Sequence, residues 1–220
     1  LRYNWIILSF LLFASCEKKK EEEGNKLQGQ ETASAEAAEK SILFFGNSLT
    51  AGYGLEIDQA FPALIQEKID SLGLDYHVIN AGLSGETTAS GKNRIRWVLR
   101  DKVDIVLLEL GANDGLRGID LDETKRNLQQ IINIIREENL SAKIILAGMQ
   151  IPPNMGPEYT EKFRKIFPQL AEKNDIDLIP FLLEGVGGEP ELNQPDGIHP
   201  TAEGHEVLAE NVWVVLKDHL

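Results

Sequence analysis

The chain has 220 residues, of which 22 are Lys or Arg and 35 are Asp or Glu, a formal net charge of −13. That length allows one domain with a leader, and 42% hydrophobic with 26% charged residues is the balance of a globular protein. The acidity excludes a phosphate-reading nucleic-acid surface, which needs clustered Lys and Arg, and a basic face for anionic lipid. The single cysteine, Cys16, excludes an intrachain disulfide and a cysteine metal cluster. The four histidines (His77, His199, His205, His219) show no metal-ligand spacing, so neither a metal nor a cofactor is expected.

In chain order, Arg2 precedes about ten mostly apolar residues, 5–14, too few for a bilayer span, which needs about 20. Phe13-Ala14-Ser15-Cys16 resembles the end of a bacterial lipoprotein signal. That resemblance implies a lipidated Cys16, a membrane anchor and a place in the bacterial cell envelope. Residues 17–40 carry a charge run and then Ala, Glu, Thr and Ser, the composition of a disordered tether.

From residue 41 onward, strand and helix patterns alternate. Apolar runs predict strands at 42–45, 76–79, 104–110, 143–147 and 178–181. Helical spacing predicts helices at 62–71, 89–102, 121–139, 158–174 and 200–219, with Leu128, Ile131, Ile132 and Ile135 on the core side of the third. The near-continuous apolar run of the third strand suits a parallel strand covered on both faces. The expected fold is α/β: a three-layer α/β/α sandwich around a parallel sheet of about five strands. Right-handed crossovers then bring the loops after the strands to one rim.

The polar residues with chemical potential fall on that rim. Ser48 follows the first strand, Ser84 and Gly85 the second, and Asn113 the third, while Asp196 and His199 occupy the loop before the last helix. Acyl transfer needs such a set: a nucleophile, a base, a group that orients the base, and donors for an oxyanion. Pro200 at a first helical position would place His199 near a helix amino terminus, which disfavours imidazolium. His77 reads as structural, and His205 and His219 as solvent-facing on the last helix. Asp114 reads as structural, a brace for Asn113. Thr50 stands where the second glycine of a G-x-S-x-G nucleophile elbow would be, which separates this chain from the α/β-hydrolases.

Four blocks, Gly46-Asn47-Ser48-Leu49, Ser84-Gly85-Glu86-Thr87, Gly111-Ala112-Asn113-Asp114 and Asp196-Gly197-Ile198-His199, resemble those of the SGNH (GDSL) hydrolases. The closest resemblance is to their bacterial periplasmic thioesterase, arylesterase and lysophospholipase branch, over roughly residues 42–217. It implies a flavodoxin-like fold, Ser48 as nucleophile, His199 as base and Asp196 as its partner. It also implies an oxyanion hole of the Ser48 N–H, the Gly85 N–H and the Asn113 amide. Asn47 departs from the family's Asp, and Ala112 from a frequent Gly. Leu49, Tyr53, Leu116, Ile151, Pro152 and Met155 are the expected apolar contacts of a small-molecule ester or thioester with an acyl or aryl group. Two alternatives stand beside this reading: a carbohydrate O-deacetylase of the same fold, and a catalytically silent, surface-anchored binding module.

Overall fold

The computed structural model describes residues 40–220. The expected signal, the lipidation at Cys16 and the tether up to residue 39 lie outside the described residues. Five strands, β1 (Lys40–Gly46), β2 (Tyr76–Gly82), β3 (Ile105–Glu109), β4 (Lys143–Ala147) and β5 (Asp177–Ile179), pair in parallel in the order β2-β1-β3-β4-β5. Ile42, Leu43, Phe44 and Phe45 of β1 are fully buried, as are Val106, Leu107 and Leu108 of β3. Strands buried on both faces must read as unbroken apolar runs, and these do.

Helices cover both faces of the sheet. On one side α2 (Phe61–Ser71) packs against α7 (Ala202–Leu216); on the other, α5 (Leu121–Glu138) lies between α3 (Thr88–Val98) and α6 (Pro157–Asn174). Leu128, Ile131, Ile132 and Ile135 of α5 are fully buried, as their spacing predicts. Two short helices that the sequence pattern does not announce, α1 (Ser48–Ala51) and α4 (Ala112–Leu116), begin directly after β1 and β3. In the order β2-β1-β3, connections leave β1 and β3 in opposite directions along the sheet. The crevice between their carboxyl ends is the topological switch point where α/β folds bind ligands.

Several boundaries differ from the sequence expectation. Lys40 belongs to β1 rather than to the tether, because it pairs in register with Tyr76, to whose hydroxyl its Nζ donates at 3.1 Å. β2 runs on through Asn80, Ala81 and Gly82, which pair with Phe44, Phe45 and Gly46. Their register, not their hydrophobicity, makes them strand: Asn80 Nδ2 donates to the Thr50 carbonyl at 2.9 Å, tying α1 to β2. α7 begins at Ala202 with Thr201 as its cap, whose hydroxyl accepts from the Gly204 N–H. Pro200 instead bridges to Asn193.

His205 and His219 correct the expectation of two solvent-facing residues. His205 is 1% exposed, stacks on Phe61, and its Nδ1 accepts the Phe61 N–H at 3.0 Å. His219 lies in a 3₁₀ turn beyond α7, where its Nε2 meets Asp177 Oδ2 at 3.1 Å. His77 sits in β2, exposed, opposite Ser41.

His205 has a consequence for stability. Burial, and secondarily the nearby His199, push its imidazole down to about 4, whereas an unfolded histidine titrates near about 6.5. Between those values the unfolded chain binds the extra proton, so this contribution is complete above pH about 6.5 and is lost as the pH falls towards about 4. His205→Asn keeps an acceptor for the Phe61 N–H without the titration. Thermal melts of wild type are expected to fall more steeply than those of His205→Asn across that window; parallel curves would contradict a neutral buried imidazole.

Candidate active site

The site assembles at the carboxyl ends of β1, β2 and β3 and in the loop before α7. β1 ends at Gly46, and Asn47 caps α1 with its Oδ1 accepting the Leu49 N–H at 3.0 Å. Ser48 is therefore the first residue of a helical turn, and among the described residues its own N–H has no protein acceptor. That leaves a free donor at the crevice, as helix starts do.

Asp196 and His199 share one tight loop. Gly197 takes φ +69°, a left-handed turn position, and its N–H donates to the Gln194 carbonyl at 2.9 Å. The turn lets Asp196 Oδ1 accept the N–H groups of Ile198 at 2.9 Å and His199 at 3.0 Å, while Oδ2 meets His199 Nδ1 at 2.6 Å. The His199 N–H first, then its ring and the Ile198 N–H, hold the Asp196 carboxyl at about 2. An ionised carboxylate only accepts, so the proton on the ring sits at Nδ1 and Nε2 is left as an acceptor. Nε2 lies 3.0 Å from Ser48 Oγ. The structure thus joins Ser48, His199 and Asp196 in one hydrogen-bonded chain. Asp196, not a helix amino terminus, governs the ring, since α7 starts beyond His199 at the Thr201 cap.

Of the other oxyanion candidates, Gly85 and Asn113 are brought together by hydrogen bonds. Gly85 follows β2, and among the described residues its N–H has no protein acceptor. Asn113 lies on α4, and its Nδ2 donates to the Glu86 carbonyl at 3.1 Å. Arg117 Nη2 donates to both the Gly85 carbonyl at 3.1 Å and Asn113 Oδ1 at 3.3 Å. That guanidinium fixes which end of the Asn113 amide faces which partner. Asp114 is structural, but it braces α3 and α5 rather than Asn113: it accepts from the Thr88 N–H at 2.9 Å, the Thr88 hydroxyl at 2.5 Å and the Thr124 hydroxyl at 3.4 Å.

One contributor is not visible in the sequence pattern. Glu109, the last residue of β3, is 0% exposed and lies opposite Gly46 in register. Its Oε2 accepts the Asn47 N–H at 3.0 Å and the Thr50 hydroxyl at 2.9 Å, and its Oε1 accepts Asn47 Nδ2 at 2.5 Å. A Cβ at position 46 would stand 2.5 Å from Oε2, so only glycine leaves room for the carboxylate. Burial pushes Glu109 up to about 7 against the pull of those hydrogen bonds. A charged residue ending an apolar run was the one available signal.

Beside Ser48 and His199 opens a cavity of about 480 Å³. Leu49, Leu116, Ile151 and Pro152 line it as expected, joined by Met149, Phe181, Leu183 and Ile198. Two other expected contacts, Tyr53 and Met155, are not among its lining residues. Tyr53 is exposed and packs its ring on His199, centroids 4.5 Å apart, because Gly52 turns the chain out of α1. Met155 is exposed and reaches toward Gly118 rather than the cavity. Phe181 and Leu183 follow β5, on the same rim, and the rim rule alone would have found them. Among the described residues no group of three or more His, Cys, Asp or Glu side chains could hold a metal ion.

Comparison with known proteins agrees with this architecture. The profile of the GDSL-like lipase/acylhydrolase family matches residues 44–207. Esterase TesA of Pseudomonas aeruginosa is 42% identical over 183 residues, covering 83% of this chain and 90% of the relative. The thioesterase 1/protease 1/lysophospholipase L1 of Escherichia coli K12 is 38% identical over 175 residues, covering 79% of this chain and 82% of the relative. The crystal structure of TesA superposes with a TM-score of 0.79 at 41% identity, covering 82% of this chain and all of that one. The chain belongs to the GDSL-like lipase/acylhydrolase family, the SGNH hydrolases.

Proposed function

We propose that the protein is a serine esterase and thioesterase that hydrolyses acyl or aryl esters, lysophospholipids among them, through an acyl-enzyme on Ser48. The observation that carries this reading is the chain Ser48 Oγ–His199 Nε2–Asp196 at 3.0 and 2.6 Å, with Nε2 free to accept. In the first step His199 Nε2 takes the Ser48 proton as Oγ attacks the carbonyl carbon. The oxygen gains negative charge between the Ser48 N–H, the Gly85 N–H and Asn113 Nδ2; one such donor is worth about 2.7–4 kcal/mol. Asp196 stabilises the imidazolium, which then protonates the leaving alcohol or thiol. Water, deprotonated by His199, releases the acid and restores Ser48.

Relatives named arylesterase, from Vibrio mimicus, and thioesterase 1/protease 1/lysophospholipase L1 support this substrate class. The largely apolar wall of the cavity favours an acyl chain over a sugar. Cell-envelope anchoring through Cys16 rests on the lipoprotein-like signal before it.

Four outcomes test these readings. Ser48→Ala is expected to abolish turnover of p-nitrophenyl butyrate. Asp196→Asn should lower kcat by about 10⁴-fold, because an amide can hold the imidazole in the wrong tautomer; wild-type kcat in either variant contradicts the mechanism. With p-nitrophenyl esters of increasing length, kcat/KM should rise from acetyl to hexanoyl. Each covered methylene is worth about 0.8 kcal/mol, roughly fourfold. An optimum at acetyl would instead fit a carbohydrate O-deacetylase, and no turnover at any length a binding module. In a bacterial host, the full chain should fractionate with membranes and Cys16→Ser should not; equal distribution of the two would sink the anchor.

A further inference from the structure

Glu109 is a buried carboxylate that the mechanism above does not use. It lines no part of the cavity and touches neither His199 nor Asp196. Its partners are all on the turn that carries Ser48. We propose that Glu109 is a positioning residue for the nucleophile: its carboxylate, matched donor for donor by Asn47 and Thr50, fixes the amide of Asn47 and through it the turn that presents Ser48. This rests on the reading of Ser48 as nucleophile.

The two carboxylate oxygens meet only donors. Oε2 takes the Asn47 N–H and the Thr50 hydroxyl, and Oε1 takes the Asn47 side-chain NH₂. A side-chain amide has two orientations that differ only in exchanging oxygen for nitrogen. Glu109 accepts one and repels the other. With Nδ2 held on Glu109, Asn47 Oδ1 points the opposite way, where it accepts the Leu49 N–H at 3.0 Å and faces Ser48 Oγ at 3.3 Å. Rotation of the amide would set Oδ1 against the carboxylate and leave the Leu49 N–H without its cap. One carboxylate therefore selects the orientation that starts α1, aims the free Ser48 N–H at the crevice and sets Oγ between Asn47 Oδ1 and His199 Nε2. Misplacement of reacting groups by a fraction of an ångström affects the chemical step more than substrate binding.

The arrangement predicts a rescue. Glu109→Gln sets an NH₂ group against the Asn47 NH₂ and is expected to lower kcat for p-nitrophenyl butyrate at pH 8 by about 10–100-fold while KM stays within about threefold. In Asn47→Asp the two facing carboxyls share one proton and keep the contact, so its kcat is expected within about fivefold of wild type. The double exchange Asn47→Asp/Glu109→Gln restores every pair. The new glutamine's oxygen accepts the residue-47 N–H and the Thr50 hydroxyl, and its NH₂ donates to the new aspartate, whose other oxygen caps the Leu49 N–H. Its kcat is expected within about fivefold of wild type, a large coupling in a double-mutant cycle. Thermal midpoints are measured alongside, and kcat well below them. A double variant no more active than Glu109→Gln, or one that regains thermal stability without kcat, overturns the positioning role, as does wild-type kcat in Glu109→Gln. If Glu109→Gln does not fold, Thr50→Val removes one donor at nearly constant shape; it is expected to lower kcat about 3–10-fold at unchanged KM, and wild-type kcat there overturns the proposal. Ser48→Ala with full turnover would sink the nucleophile reading itself, whereas a failed rescue beside an inactive Ser48→Ala sinks only the role of Glu109.

Discussion

The register of β1 against β3 sets Gly46 opposite Glu109, and the missing side chain at 46 leaves space for a fully buried carboxylate. A charge in such a place is costly unless hydrogen bonds replace its solvent. Here the replacements are the two N–H donors of Asn47 and the hydroxyl of Thr50, so the demand of the carboxylate determines the course of the chain after β1. The turn that raises Ser48 onto the rim is a consequence of satisfying Glu109. The upward displacement of its titration to about 7 shows that these bonds offset desolvation only in part.

A second polar network does comparable service on the opposite wall. Glu86 is buried and paired with Arg94 Nη2 at 2.6 Å, and the Glu86 carbonyl holds one hydrogen of the Asn113 amide. Arg117 holds the other end of that amide together with the Gly85 carbonyl. The candidate donors thus follow β1, β2 and β3 separately, and those after β2 and β3 are held by one shared guanidinium before any substrate arrives. Preorganised donors of this kind stabilise developing charge without reorganising at the moment of reaction. Asp114, by tying α4 to Thr88 of α3 and Thr124 of α5, transfers the rigidity of two long helices to the short turn that carries Asn113.

How much of this was legible in the chain follows from what each feature depends on. β1, β3 and β4 are buried on both faces, so composition alone declares them. The end of β2 is strand by pairing, with the polar Asn80 bonded to the Thr50 carbonyl, and pairing leaves no trace in hydropathy. Ser48, Asn113, Asp196 and His199 stood out because chemistry restricts residue type at strand ends. Glu109 did not, because its role exists only across the β1–β3 register. Tyr53 and Met155 fall outside the cavity lining for a related reason: apolar character near the rim says nothing about which way a short loop turns. His205 was readable. With Leu208, Ala209, Val212 and Leu216 it falls on one helical stripe, all buried, and that periodicity outranked its polarity.

Two of the buried titratable groups pull stability in opposite directions. His205, held down to about 4, loses its contribution as acid is added below its unfolded value of about 6.5. Glu109, held up to about 7 from an ordinary 4.5, does the reverse: the folded chain keeps the proton longer, so its contribution is full in acid and is lost as pH rises through about 7. Across the overlap, from about 4.5 to about 6.5, the slopes have opposite sign and similar span, and their sum is flat. Asp196, exposed and held down by N–H donors, adds only a screened share, lost in strong acid. Above the overlap His205 is neutral and satisfied, and of the two only Glu109 still contributes a slope. Its ionised form is also the one that accepts all three donors of Asn47 and Thr50. The state that costs the fold most is therefore the state in which the Ser48 turn is most fully determined, so stability and positional order diverge on the alkaline side.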